Sequence, residues 1–167
     1  VVLVEAEIPQ NAGNIARLCA VTGAQLHLVR PLGFFLTERH FKRAGMDYID
    51  RAALLVHDSL ADLHAARGDA PLWLTSGKGG QPLWEAHFAP GDWLFFGRES
   101  AGLPPELLDL YAPRIVTIPM LPASRGLNQA TAAGIVVCEA LRQMNEARQL
   151  AAWPIGAAQV RHAGEMR

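Results

Sequence analysis

Six short runs set the architecture of this chain: the apolar Val1 to Ala6, Ala52 to Val56, Leu72 to Thr75, Trp93 to Phe96 and Ile115 to Ile118, and Gln25 to Arg30, which alternates polar with apolar residues. Several are followed by a stretch in which apolar residues return at helical spacing. None approaches the about 18 consecutive apolar residues needed to cross a bilayer, so each has the length of a buried strand. Strands alternating with helices assemble as a mainly parallel sheet flanked by helices, an α/β fold. The first helix reads as Asn11 to Thr22, closed by Gly23. A short basic helix capped by Thr37 comes next, then one capped by Asp58 that runs through Ala66 to Gly68. A short amphipathic piece surrounds Trp84 and Phe88. Pro104 begins a helix through Leu110, and a long one spans about Leu127 to Arg148. Residues 1–148 therefore form one domain. Beyond Arg148 an Ala-rich segment, 149–167, broken by Trp153-Pro154, reads equally as a helical extension or a loosely ordered tail.

Charge and cysteine usage narrow the function classes. Fifteen Lys or Arg residues face sixteen Asp or Glu residues, a formal net charge of −1. Attraction of the whole molecule to a polyanion is thereby excluded, and a nucleic-acid site must be a local patch. Arg39, His40, Lys42 and Arg43 form the densest basic cluster, which reads either as a track for phosphates or as a solvated helix face. The two cysteines, Cys19 and Cys138, lie far apart without a CxxC or Cys/His cluster. That pattern argues against a disulfide framework and structural zinc, so no metal is expected, and a soluble protein of the reducing cytoplasm fits.

In open α/β sheets ligands bind at the carboxyl ends of the strands, and four loops stand out there. Pro9 to Arg17 places Asn11, Gly13 and Asn14 at a helix start, where exposed N–H groups suit a phosphate or ribose oxygen; the same residues serve equally as a helix cap with a surface Arg17. Thr75-Ser76-Gly77-Lys78-Gly79-Gly80 fails both glycine-rich nucleotide motifs: Pro82 stands where a third glycine belongs, and no Ser or Thr follows Lys78. A flexible turn is the better reading of it. Phe96 to Pro104 carries Gly97 and Gly102, which allow close backbone approach, with Arg98 and Glu99 between them; a tight turn bearing a surface ion pair is the alternative. Ile118 to Asn128 is an apolar loop stiffened by Pro119 and Pro122, able to present backbone groups to an adenine. Asn128 caps or holds that loop, and Arg125 contacts phosphate or is solvated.

Taken together, Glu7-Ile8-Pro9-Gln10-Asn11-Ala12-Gly13-Asn14-Ile15-Ala16-Arg17-Leu18-Cys19-Ala20, Phe96 to Pro104 and Ile118-Pro119-Met120 through Asn128 resemble the SPOUT class of S-adenosylmethionine-dependent RNA methyltransferases. The likeness is to the small YibK-like members that methylate the wobble ribose of tRNA, and it extends from Val1 to about Met144. Gly33-Phe34 and Arg43-Ala44-Gly45-Met46-Asp47-Tyr48 resemble the same branch. The resemblance implies a C-terminal deep trefoil knot and a homodimer with each active site near the subunit interface. It also implies S-adenosyl-L-methionine bound by Leu74, Thr75, Gly97, Ile118, Met120, Gly126 and Leu127, and Arg17 at the reacting hydroxyl supported by Asn11, Arg98 and Glu99. The anticodon arm of tRNA is the implied partner, met by Arg39, Lys42, Arg43 and Arg125, with Phe34, Phe35 or Tyr48 available to stack on bases.

This chain departs from the resemblance where relatives often carry Ser-Leu-Asn-Leu-Ser-Asn. It reads Gly126-Leu127-Asn128-Gln129-Ala130-Thr131, and Cys138 stands where tyrosine is common. Methylation at another tRNA or rRNA position, or a noncatalytic RNA-binding role for the same fold, is the alternative those departures leave open. A flavodoxin-like reading lacks a phosphate motif.

Overall fold

Alternation along the strands sorts their side chains onto two covered faces. In the structure, a computed structural model describing residues 1–36 and 54–146, Leu3, Trp73, Leu94 and Phe96 join one buried cluster while Val2, Val4, Leu72, Leu74 and Phe95 join the other. A strand buried on both sides has no polar face to show, and these runs have none. The strands are β1 (Val2–Val4), β2 (Leu26–Val29), β3 (Leu54–His57), β4 (Leu72–Thr75), β5 (Gln81–Pro82), β6 (Trp93–Phe96) and β7 (Ile115–Thr117). They form a seven-stranded sheet in the order β3-β2-β1-β6-β4-β7-β5, and every pairing is parallel.

Four helices cover it: α1 (Pro9–Thr22), α2 (Leu60–Arg67), α3 (Pro105–Leu110) and α4 (Gln129–Glu146). Ile15 and Cys19 of α1 and Val136, Val137 and Ala140 of α4 belong to the first cluster. Leu63 of α2 and Leu107 of α3 belong to the second. Gly23 ends α1 in the left-handed conformation, φ 73°, with its N–H on the Cys19 carbonyl, the geometry in which glycine escapes a Cβ clash. Burial pushes the Cys19 thiol up to about 11, which makes it an inert packing group.

Three sequence expectations shift. Ser59, not Asp58, caps α2: its side chain accepts from the Asp62 N–H at 3.1 Å, while Asp58 turns outward to Arg30 at 3.1 Å. The serine sits one residue nearer the helix, where its hydroxyl reaches the third N–H. The two-residue strand β5 was not foreseen, because Gln81-Pro82 carries no apolar alternation. It pairs with β7 at the sheet edge, where a proline is tolerated. The amphipathic piece at Trp84 is a 3₁₀ turn, Leu83–Glu85. The Thr37 helix and the tail fall outside the described residues.

The order matters for function. The chain moves outward from β1 through β2 to β3 and then fills the other side, so β1, β6, β4 and β7 are neighbours. Their carboxyl ends release the four loops singled out above side by side.

At the other end of the sheet, His27 is 4% exposed beneath Trp93, ring centroids 4.2 Å apart. Its Nε2 lies 3.1 Å from Gln25 Oε1 and its Nδ1 lies 2.9 Å from His57 Nε2. A carbonyl oxygen only accepts, so His27 carries its proton on Nε2 and Nδ1 accepts from His57. Burial, with nearby positive charge adding to it, pushes His27 down to about 4. Below its ordinary pKa near 6.5 the unfolded chain binds a proton that the folded chain refuses. Stability is therefore complete above about pH 6.5 and falls as the pH drops toward 4. Denaturant titrations across that range should show the decline, and His27→Gln should flatten it.

Candidate active site

The N-terminus of α1 begins with Ile8 as its cap, which has no side-chain acceptor to offer, and no acidic residue lies in the first turn. The missing acceptor comes from the loop after β6. Glu99 accepts from the Glu7 N–H at 2.8 Å, the Ile8 N–H at 3.3 Å and Asn11 Nδ2 at 3.0 Å. A carboxylate at a helix N-terminus also meets the positive end of the helix dipole. The exchange is mutual: Glu7 accepts from the Ser100 N–H at 2.9 Å and from its hydroxyl at 2.8 Å. Arg98 forms an ion pair with Glu5, which leaves β1 in the left-handed region at φ 54°.

The fourth loop joins the same network. Asn128 Nδ2 donates to Asn11 Oδ1 at 2.9 Å, while Asn128 Oδ1 caps α4 by accepting from the Ala130 N–H at 2.9 Å and the Thr131 N–H at 3.3 Å. Both alternatives for Asn128 are thus realised at once. Next to it Gln129, 7% exposed, donates from Nε2 to the Gly97 carbonyl at 2.6 Å. Gly97 tolerates no larger residue, since a Cβ would stand 2.1 Å from the Gly102 carbonyl carbon. That closeness follows from the paired Arg98 and Gly102 backbones, whose N–H groups each donate to the other's carbonyl, at 3.0 and 2.8 Å.

These contacts enclose a cavity of ≈ 530 Å³ at the carboxyl ends of the strands. Its wall holds six of the seven positions assigned to cofactor: Thr75, Gly97, Ile118, Met120, Gly126 and Leu127. The seventh, Leu74, is fully buried in the second core cluster. Strand alternation turns the Leu74 side chain into the core, which leaves only its main chain on the side of the neighbouring Thr75. Asn11, Arg98, Glu99 and Arg125 also line it. Arg17 is exposed and not part of the wall. Six residues beyond Asn11, it lies about 240° around the helix. Arg39, Lys42 and Arg43 lie outside the described residues. Cys138 is exposed on α4 and faces a separate groove with Trp84 and Ile118.

Sequence reasoning did not weigh Glu5, Glu7 or Gln129 as site residues. The first two were legible as acidic complements to Arg98 and Ser100. Gln129 was visible only as a departure from the resemblance.

Residues 1–138 match the family model described as the SpoU rRNA Methylase family. The chain belongs to the SpoU methylase family. Among its relatives, a protein of Burkholderia pseudomallei (strain 1106a) named tRNA (cytidine(34)-2'-O)-methyltransferase is 45% identical over 146 residues, covering 86% of this chain and 94% of that protein. One of the same name from Saccharophagus degradans (strain 2-40 / ATCC 43961 / DSM 17024) is 42% identical over 145 residues, covering 86% and 94%. A solved structure described as giving structural insights into the 2-OH methylation of C/U34 on tRNA superposes on this SpoU methylase with a TM-score of 0.80. It is 47% identical and covers 87% of this chain and 95% of that one. An AdoMet-bound rRNA methyltransferase from Sinorhizobium meliloti has a TM-score of 0.73 at 25% identity, covering 86% of this chain and 55% of that one.

The donor set fits a nucleoside carrying a charged amino-acid arm. Thr75 Oγ1 and Gln129 Oε1 are buried at the cavity without a hydrogen-bond partner, and Ile118, Met120 and Leu127 supply apolar surface for a ring. Arg98 and Arg125 add positive charge. Among the described residues no group of three His, Cys, Asp or Glu side chains stands close enough to hold a metal ion.

Removing the Glu99 carboxylate should undo the clamp. Glu99→Ala strands the Glu7 and Ile8 N–H groups, an expected loss of about 1–3 kcal/mol. Denaturant unfolding measures that loss, and calorimetry should show weakened binding of S-adenosylmethionine as the loops separate.

Proposed function

We propose that this SpoU methylase transfers a methyl group from S-adenosyl-L-methionine to the 2′-hydroxyl of the wobble nucleotide, cytidine or uridine, in the anticodon arm of tRNA. The observation that carries the reading is the convergence of four loops on one cavity, in a chain that shares 45% identity over 94% of a tRNA (cytidine(34)-2'-O)-methyltransferase. S-adenosylmethionine, when bound, supplies a methyl group on a sulfonium, and the reaction forms an oxygen–carbon bond as the carbon–sulfur bond breaks.

The chain's own residues have three tasks. Thr75, Gly97 and the 118–127 loop hold the nucleoside, and Gln129 fixes the Gly97 carbonyl from below. Asn11, held by Glu99 and Asn128, keeps the start of α1 in register with that loop, so alignment is set before substrate arrives. Arg17 orients the hydroxyl and a neighbouring RNA phosphate. A guanidinium keeps its proton at neutral pH, so the hydroxyl proton passes to the phosphate rather than to arginine.

Arg17 stands outside its own chain's cavity wall, and in this reading a homodimer brings it to the site of the partner subunit. Leu83, Trp84, Ile118, Pro119, Ile135 and Cys138 form an apolar groove, Trp84 is 63% exposed, and Ile118 also borders the cavity. A second copy seated there would complete the site at the subunit interface. The trefoil knot belongs to the same reading, supported by the side-by-side course of the loops after β4 and β7: a Cβ on Gly77 would lie 3.7 Å from Met120 Cε. Arg39, Lys42, Arg43 and Arg125 would follow the phosphates of the anticodon arm, and the cytoplasm is the compartment of such a substrate. No helix among the described residues is long and apolar enough to cross a membrane.

Unmodified tRNA incubated with protein and methyl donor should yield a 2′-O-methylated wobble nucleoside by mass spectrometry. Methylation elsewhere, or none with the donor bound, overturns the reading. Arg17→Ala should abolish turnover while calorimetry shows unchanged affinity for the donor. Trp84→Glu should convert a dimer into a monomer by sedimentation, and an unaltered dimer would reject the groove as its contact.

A further inference from the structure

A second hollow, of ≈ 520 Å³, opens at the carboxyl end of β2, one strand away from the cavity. Pro31, Gly33, Phe34 and Phe35 form its wall, with Arg30 and Asp58 beside them. Gly33 joins it to the active site. Its N–H donates to the Ala6 carbonyl at 2.9 Å, and a Cβ there would stand 2.8 Å from both Cα and the carbonyl oxygen of Glu7. The Ala6–Glu7 backbone is thus a wall shared by the two hollows: the Glu7 N–H is held by Glu99, and the next residue, Ile8, lines the cavity.

The chemistry of this hollow is specific. Phe35 is 79% exposed, so one face of its ring is open beside the hollow. Arg30 Nε lies 3.1 Å from Asp58 Oδ1, with Asp58 88% exposed, so a donor and an acceptor stand together at the surface. An aromatic face beside such a pair matches an unstacked nucleobase, which stacks on the ring and offers both donors and acceptors along its edge. The sequence beyond Leu36 brings Arg39, Lys42 and Arg43 within seven residues. In sequence the segment that follows the hollow's aromatic residues is cationic, a composition that suits a phosphodiester strand and does nothing for an apolar partner.

We propose that the Arg30–Phe35–Asp58 hollow is a nucleobase subsite, holding a base of the substrate RNA next to the nucleotide whose ribose enters the cavity. It rests on the ribose-methylation reading and adds a determinant of which loop sequences are accepted.

Anticodon stem-loops carrying 2-aminopurine at single positions flanking the target, titrated with the full chain, test it. Wild-type protein should change the emission of the probe at one flanking position. Phe35→Ala should abolish that change and raise the Kd for RNA by about 5- to 150-fold, the range of one base–aromatic stack. Asp58→Asn should weaken a loop with cytosine at that position more than one with uracil, because the carboxylate accepts from the amino group. Affinity for S-adenosylmethionine and the melting temperature should stay as in wild type. An RNA affinity within twofold of wild type for Phe35→Ala overturns the subsite alone, provided wild type methylates the loop. A dimer lost in Phe35→Ala also overturns it, making the patch a subunit contact. Wild-type binding and probe response without methylation leave the subsite standing and refute the ribose-methylation reading; absence of RNA binding refutes both.

Discussion

The Glu99 carboxylate is the contact on which the site depends. A helix start exposes N–H groups that need acceptors, and α1 brings none of its own. By taking its acceptor from a loop 92 positions later in the chain, at 2.8 Å from the Glu7 N–H, the protein couples the start of the helix to the wall of the cavity. Asn11 then passes the constraint to Asn128, which caps α4. The two helices that cover one face of the sheet are thereby aligned through side chains that also border the ligand space.

Asn11, Arg98 and Glu99 consequently have work to do before any substrate is present. Asn11 and Glu99 are bonded within the protein and Arg98 is paired with Glu5, so all three help to set the shape of the pocket. This separates them from Thr75 and Gln129, whose buried oxygens lack partners. The cavity is thus bordered both by polar groups paired within the protein and by buried oxygens that are not.

Much of the fold was legible because a short apolar run bounded by turn residues is a local property. Leu72–Thr75 and Trp93–Phe96 were placed to the residue, since each is bounded by Gly, Pro or Asp on at least one side. The edge strand at Gln81-Pro82 was illegible, being created by its neighbour β7 rather than by its own pattern. The cap of α2 missed by one residue because Asp58 and Ser59 carry the same local signal, and only the ion pair with Arg30 separates them. At the site, the loops were legible and their mutual bonding was not: nothing local announces that Glu99 serves a helix begun at Pro9. Leu74 was carried over by resemblance, and the strand's period already placed its side chain in the core.

The bond from Gln129 to the Gly97 carbonyl makes the loop after β6 and the start of α4 interdependent. Position 97 admits only glycine because of the crossing backbone at Gly102, and a buried carbonyl there needs a donor. An aliphatic side chain at position 129 would leave that oxygen to be satisfied by another route, such as an ordered water. Swapping the loop between relatives without its matching helix start would therefore leave an orphaned acceptor at the floor of the pocket.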